Sequence, residues 1–144
     1  MTSKSKLLLG AAFLASWMSV ASAQDADPTN MVRGGLQAIQ LVDQGKIGEL
    51  WDGSGPATKK RVARPEFVRQ VEASRSPLGA AQQRTWISVN RQLVANEDPD
   101  VAGQYINVEY ETRFANAGNR VVREMTSFRL DPSGTWRLSG YVLR

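Results

Sequence analysis

The chain has 144 residues, with 18 Lys and Arg against 14 Asp and Glu, and a formal net charge of +4. It contains neither cysteine nor histidine. Disulfides, thiolate metal sites, a thiol nucleophile and lipid attachment through cysteine are thereby excluded, and the commonest general base is missing.

Lys4 and Lys6 precede an apolar run from Leu7 to Val20, and Ala21-Ser22-Ala23 follows it. This is the order of a secretory signal peptide, with cleavage expected after Ala23. The run is shorter than the roughly 20 residues a membrane-spanning helix needs. The expectation is a leader over residues 1–23, a single domain over 24–144, and a periplasmic or secreted product free of the membrane after cleavage. Lys59-Lys60-Arg61 is the one basic run, and no aromatic residue interleaves it. It reads as a solvated loop, and no nucleic-acid partner is expected.

Asp27-Pro28 has the pattern of a helix cap followed by proline at the first helical position. Met31, Leu36, Ala38, Ile39 and Val42 form a helical stripe that stops at Gly45. Gly34-Gly35 weakens this helix by about 1 kcal/mol per glycine, or else permits close backbone packing. A short second helix over Lys46 to Trp51 follows, then a loop from Asp52 through Pro56 by composition. A third helix is predicted from near Pro65 to about Ser74, with Phe67 and Val71 inward, ended by Arg75-Ser76-Pro77-Leu78-Gly79.

The rest alternates. A first strand from about Arg84 to Leu93 carries Trp86, Ile87 and Val89, and both parities hold a bulky apolar residue. Ala95 to Ala102 is an acidic loop. Asn96, Glu97, Asp98 and Asp100 lack the glycine and closing glutamate of a calcium loop, so no metal is expected, and nothing calls for a cofactor. Ile106, Val108, Tyr110, Thr112 and Phe114 share one face of the next strand. Val122, Glu124, Thr126, Phe128 and Leu130 share one face of the third, and Trp136, Leu138, Gly140 and Val142 one face of the last. Pairing Glu111 with Arg123 sets opposite charges together and places Tyr110 opposite Glu124. Asp131-Pro-Ser-Gly134 suits a type I turn with Gly134 in the left-handed conformation. The fold class is therefore α+β, with N-terminal helices packed on a curved four-stranded antiparallel sheet.

Several short motifs occur in order: Leu41-Val42-Asp43-x-Gly45, Trp51, Arg75-x-Pro77-Leu78-Gly79 with Arg84, and Gly103-x-Tyr105. Thr112-x-Phe114, Glu124-x-Thr126 and Gly134-x-Trp136-Arg137-x-x-Gly140-Tyr141 complete the set. Together they resemble a bacterial secreted family, the domain of unknown function 4019, over nearly all of residues 24–144. The chain departs from it in having Phe67 where the family usually carries tryptophan. The resemblance implies a cystatin-like or nuclear-transport-factor-2-like architecture and no established activity, so it supplies no catalytic residues. Gln92-Leu-Val94-Ala-Asn96 mimics part of the cystatin inhibitor signature but lacks its glycine.

The leading functional expectation is a non-catalytic binding or interaction module for an unknown protein or a small apolar ligand. Its candidate cavity is lined by Trp51, Phe67, Tyr110, Phe128 and Trp136, with Glu124 turned inward, although core filling is the more usual use of such aromatics. A small hydrolase or isomerase is the alternative, with Glu124, Asp43, Arg75 and Tyr110 as its available groups. A third possibility is a weak homodimer through Tyr105, Met125, Tyr141 and Leu143, expected on the outer sheet face. An inward Glu124 needs a cation. Arg75, at a helix C-terminus, is the first candidate and Arg84 the second.

Overall fold

The computed structural model describes residues 26–144; the expected leader and its cleavage site lie outside this range. Helix α1 (Pro28–Asp43) opens with the Asp27 carboxylate accepting the Thr29 N–H at 2.8 Å, and Pro28 is its first residue. Met31, Gly35, Ala38, Ile39 and Val42 form its buried face. Helix α2 (Ile47–Asp52) buries Ile47 and Leu50, and the Trp51 indole N–H donates to the Val62 carbonyl at 2.9 Å.

The stretch expected to be loop holds a further helix, α3 (Pro56–Arg61). It is too short for an apolar period to show, yet proline starts it and Lys59, Lys60 and Arg61 occupy its last turn, where cations suit the dipole. The chain entering α3 covers an edge of the sheet: Ser54 bridges to Leu138, and the Gly55 N–H donates to the Leu138 carbonyl at 3.1 Å. Helix α4 (Arg64–Arg75) buries Phe67, Val71 and Arg75, and a 3₁₀ turn over Ser76–Leu78 ends it.

Four antiparallel strands follow in simple succession, β1 (Ala81–Val94), β2 (Gly103–Phe114), β3 (Val121–Leu130) and β4 (Trp136–Leu143). The fold is α+β. In β2 and β3 the expected alternation holds: Ile106, Val108, Tyr110, Thr112 and Phe114 are buried, as are Val122, Glu124, Thr126 and Phe128. The expected register holds as well, with Glu111 opposite Arg123 and Tyr110 opposite Glu124. Gly134 has φ 83°, and the Asp131 carboxylate accepts the Ser133 and Thr135 N–H groups, each at 3.0 Å, and Arg137 Nε at 2.8 Å. Those contacts, with the Ser133 hydroxyl bond foremost, hold the Asp131 carboxyl down at about 2.

Two bulges decide what alternation left open. In β1 the register shifts between Trp86 and Ser88, so Ile87 is an extra residue; Trp86 opposite Tyr110 and Val89 opposite Val108 then share the inner face. In β4 the shift falls between partners of Ser127 and Phe128, with Leu138 opposite Phe128 and Gly140 opposite Ser127. Ser139 is the extra residue. Trp136 and Leu138 point inward as expected, but beyond the bulge Tyr141 and Leu143 turn inward in place of Gly140 and Val142. This corrects the expected outer stripe. Tyr141 is buried, Leu143 packs against the core, and Tyr105 and Met125 alone remain outside as half-buried residues.

The core lies between α1, α2, α4 and the inner sheet face. Helix α1 crosses β2 and β3 at its paired glycines. A Cβ on Gly35 would stand 2.7 Å from the Tyr110 hydroxyl and 2.8 Å from Thr126 Oγ1, whereas one on Gly34 would meet the Phe128 ring at 3.6 Å. The close approach lets the Tyr110 hydroxyl donate to the Val32 carbonyl at 2.6 Å. Gly35→Ala is expected to lower stability by about 1–3 kcal/mol through overpacking. Gly34→Ala is expected to be neutral or to gain up to about 1 kcal/mol in helix propensity. Urea unfolding of the two variants checks the order, and equal effects would contradict the seating of α1.

Candidate functional site

At one end of the sheet, the C-termini of α1 and α4, the start of β1 and the facing ends of β2, β3 and β4 meet. Parity forces a carboxylate into this corner. Glu124 is 0 % exposed, and both its oxygens are engaged. Oε1 accepts Arg84 Nε at 2.7 Å and the Thr112 hydroxyl at 2.5 Å; Oε2 accepts the Tyr141 hydroxyl at 2.5 Å. Arg84 also donates to both oxygens of Asp43, at 2.9 and 3.2 Å. Asp43 accepts a further bond from Arg75, at 3.2 Å. Arg75 in turn donates to the Gly79 carbonyl at 2.5 Å and lies over the Phe114 ring, 4.4 Å from its centroid.

The structure thus gives Glu124 its cation, but Arg84 fills the place expected of Arg75. The reason is reach. Arg84 stands on the inner face of β1 opposite Thr112, which itself lies opposite Val122 beside Glu124, whereas Arg75 meets the corner through Asp43. The chain of contacts Arg75–Asp43–Arg84–Glu124 alternates in sign and sums to zero charge.

The electrostatics follow from this. Burial alone would lower the Arg84 pKa, and the hydrogen bonds to Asp43 and Glu124 more than reverse it, leaving it raised. Burial pushes the Tyr141 phenol far above its ordinary range, with the Glu124 charge adding to the effect, so Tyr141 serves as a donor. Tyr110 is pushed up to about 12, again chiefly by burial.

A sequence-family model described as "Protein of unknown function (DUF4019)" matches residues 35–141. The chain belongs to this family. No curated protein matches it. In this DUF4019 chain, Asp43, Arg75, Arg84, Thr112, Glu124 and Tyr141 all come from the motifs that carried the resemblance, so residues scattered over the sequence converge on one corner.

Phe67, Tyr110 and Phe128 are core residues, with Trp51 and Trp136 half-buried against the same core. Phe67 borders a surface depression of about 510 Å³ between α3, α4 and Ser139, while Phe128 and Trp136 border another of about 260 Å³ beside Gly34. Trp51 and Tyr110 line neither depression. Among the described residues no group of three or more Asp or Glu converges as a metal site would require. Sequence reasoning missed Thr112 and Tyr141 as partners of Glu124. Thr112 was visible, since it shares the inner face of β2; Tyr141 was hidden by the Ser139 bulge.

Two outcomes test the corner. A double-mutant cycle of Arg84→Met with Glu124→Gln, read by urea unfolding, is expected to show a coupling of about 1–3 kcal/mol. The same cycle with Arg75→Met should give a clearly smaller value, since Arg75 and Glu124 make no direct contact. Because the folded Tyr141 pKa lies above its unfolded value of about 10, its protonated form stabilises the fold below that pH, and the contribution is lost as pH rises beyond it. Stability of the parent chain should therefore fall more steeply above about pH 10 than that of Tyr141→Phe. Parallel pH profiles would contradict the burial of the Tyr141 phenol beside Glu124.

Proposed function

We propose that this DUF4019 chain is a non-catalytic binding or interaction module acting in the periplasm or outside the cell. The observation that carries the reading is the condition of Glu124. A general base needs a free lone pair within reach of substrate. Glu124 has no solvent exposure and already accepts from Arg84, Thr112 and Tyr141. Asp43, the other acid of the corner, accepts from two arginines. The corner behaves as a clamp between helices and sheet, which leaves the surface of the domain as the working part. The sequence of the leader supports the location, and among the described residues no helix is long and apolar enough to cross a membrane.

The test uses protein recovered from the exported fraction. Its intact mass should begin at Gln24, and compounds from a small-molecule pool that stabilise it should be released with unchanged mass. Retention of residues before Gln24 would overturn the location. A ligand converted to product, with conversion lost in Glu124→Gln or Asp43→Asn, would overturn the non-catalytic reading.

A further inference from the structure

The inner face of β1 extends past the flank of α1, and Trp86 stands where the helix stops covering it. The residue is 51 % exposed although it shares its face with Val89 and lies opposite buried Tyr110. A depression of about 420 Å³ lies along α1 between Trp86 and the side chains of Val32, Arg33 and Leu36. A second, of about 390 Å³, continues towards Met31, Val89, Arg91 and Ile106. Both are bounded by Pro28 and Trp86, so they form two lobes of one groove.

Its chemistry is one-sided. The walls are apolar, each lobe carries one arginine, and neither lining contains a carboxylate. Arg33 is exposed and makes no hydrogen bond or ion pair with a described residue. Asp27, just ahead of the groove in the chain, has its carboxylate on the Thr29 N–H. Arg91 is already engaged over the Trp136 ring, 5.8 Å from its centroid. Arg33 is therefore the charge available to a ligand.

We propose that this groove binds a small, free amphipathic carboxylate, its apolar chain or ring against Trp86, Val32 and Leu36 and its anionic head on Arg33. The inference deepens the reading of the domain as a binding module and rests on it. Lobes of this size match the scale of small-molecule sites, which combine apolar walls with a few convergent polar groups. A guanidinium fork pairs with a carboxylate by two parallel hydrogen bonds, which fixes the head while the apolar wall holds the tail. A second copy of the chain fits less well. A two-fold interface centred on Trp86 would bring arginines from both copies together with no carboxylate in either lining to separate them.

The experiment titrates the exported chain, beginning at Gln24, with dodecanoate and with dodecyltrimethylammonium below their micellar concentrations. Calorimetry gives the affinity, amide NMR shifts give the location, and light scattering gives the oligomeric state. The expected result is saturable 1:1 binding of dodecanoate alone, with shifts confined to α1 and β1 around Val32, Leu36 and Trp86. Arg33→Gln should weaken it about tenfold, as the loss of one charge-assisted contact implies. Leu36→Glu should abolish it. Where Leu36→Glu fails to fold, Trp86→Ala at the half-exposed wall serves in its place and should likewise abolish binding. Equal binding of the cation, indifference to Arg33→Gln, shifts elsewhere or no saturable binding would each overturn the proposal. So would a dimer that Leu36→Glu dissociates, since the groove would then be a contact between copies. Failure of dodecanoate beside unchanged release of another ligand would leave the binding-module reading standing, whereas chemical conversion of a bound ligand would remove that reading itself.

Discussion

A carboxylate with no access to water governs one end of this fold. Glu124 sits on the inner face of β3 because strand alternation and the β2–β3 register put it there. An uncompensated charge at that position would be expensive enough to unfold a small domain. The compensation is distributed. Arg84 comes from β1, Thr112 from β2 and Tyr141 from β4, so every strand contributes to the environment of one side chain. Asp43 and Arg75 then tie the C-termini of α1 and α4 to the same point. A buried ionic cluster adds little net stability when weighed against an apolar replacement, but removing one partner from it is strongly destabilising. Its structural effect is to tie the ends of two helices and all four strands to one point.

A second constraint acts further along α1. The backbone at Gly35 approaches Tyr110 and Thr126 so closely that even a methyl group there would force their hydroxyls aside. The contact seats α1 over β2 and β3, the strands that carry Tyr110, Thr126 and Phe128. A helix is narrower than a four-stranded sheet, and this placement leaves the inner face of β1 with partial cover. The exposure of Trp86 is thus a consequence of how α1 is held, by glycine contact in its middle and by Asp43 at its end. The groove and the charged corner lie on the same helix and depend on the same docking.

What was legible in the sequence follows the same physics. The faces of β2 and β3 were readable because unbroken alternation forbids a one-residue slip, and the Glu111–Arg123 register because it sets opposite charges together. The faces of β1 and β4 were not fully readable because extra residues interrupt them, Gln82 and Ile87 in β1 and Ser139 in β4, and a bulge reverses parity without a distinct signature when it is not glycine. The insertion at Ser139 is why Tyr141 was expected outside and lies inside, bonded to Glu124. Helix α3 escaped notice because six residues are fewer than two full turns of apolar period. The need for a cation beside Glu124 was readable from parity alone. Its identity was not, because both Arg75 and Arg84 converge on the corner and only the three-dimensional path shows which guanidinium arrives first.

These points bear on what membership of a family without known function means here. Motif residues Asp43, Arg75, Arg84, Thr112, Glu124 and Tyr141 meet in a cluster in which both carboxylates are fully engaged and Arg75 Nε alone is buried without a partner. Under the proposed reading, the motifs describe how the domain is clamped together. Val32 and Arg33 precede the matched region 35–141, and Leu36 and Trp86 fall within it but outside the motifs. The groove residues are thus independent of the pattern that defines the scaffold, as a binding surface can be when a rigid frame is set by other parts of the chain. The chemistry of a ligand is accordingly to be sought in the side chains that line the groove, and the family pattern speaks to the frame that holds them.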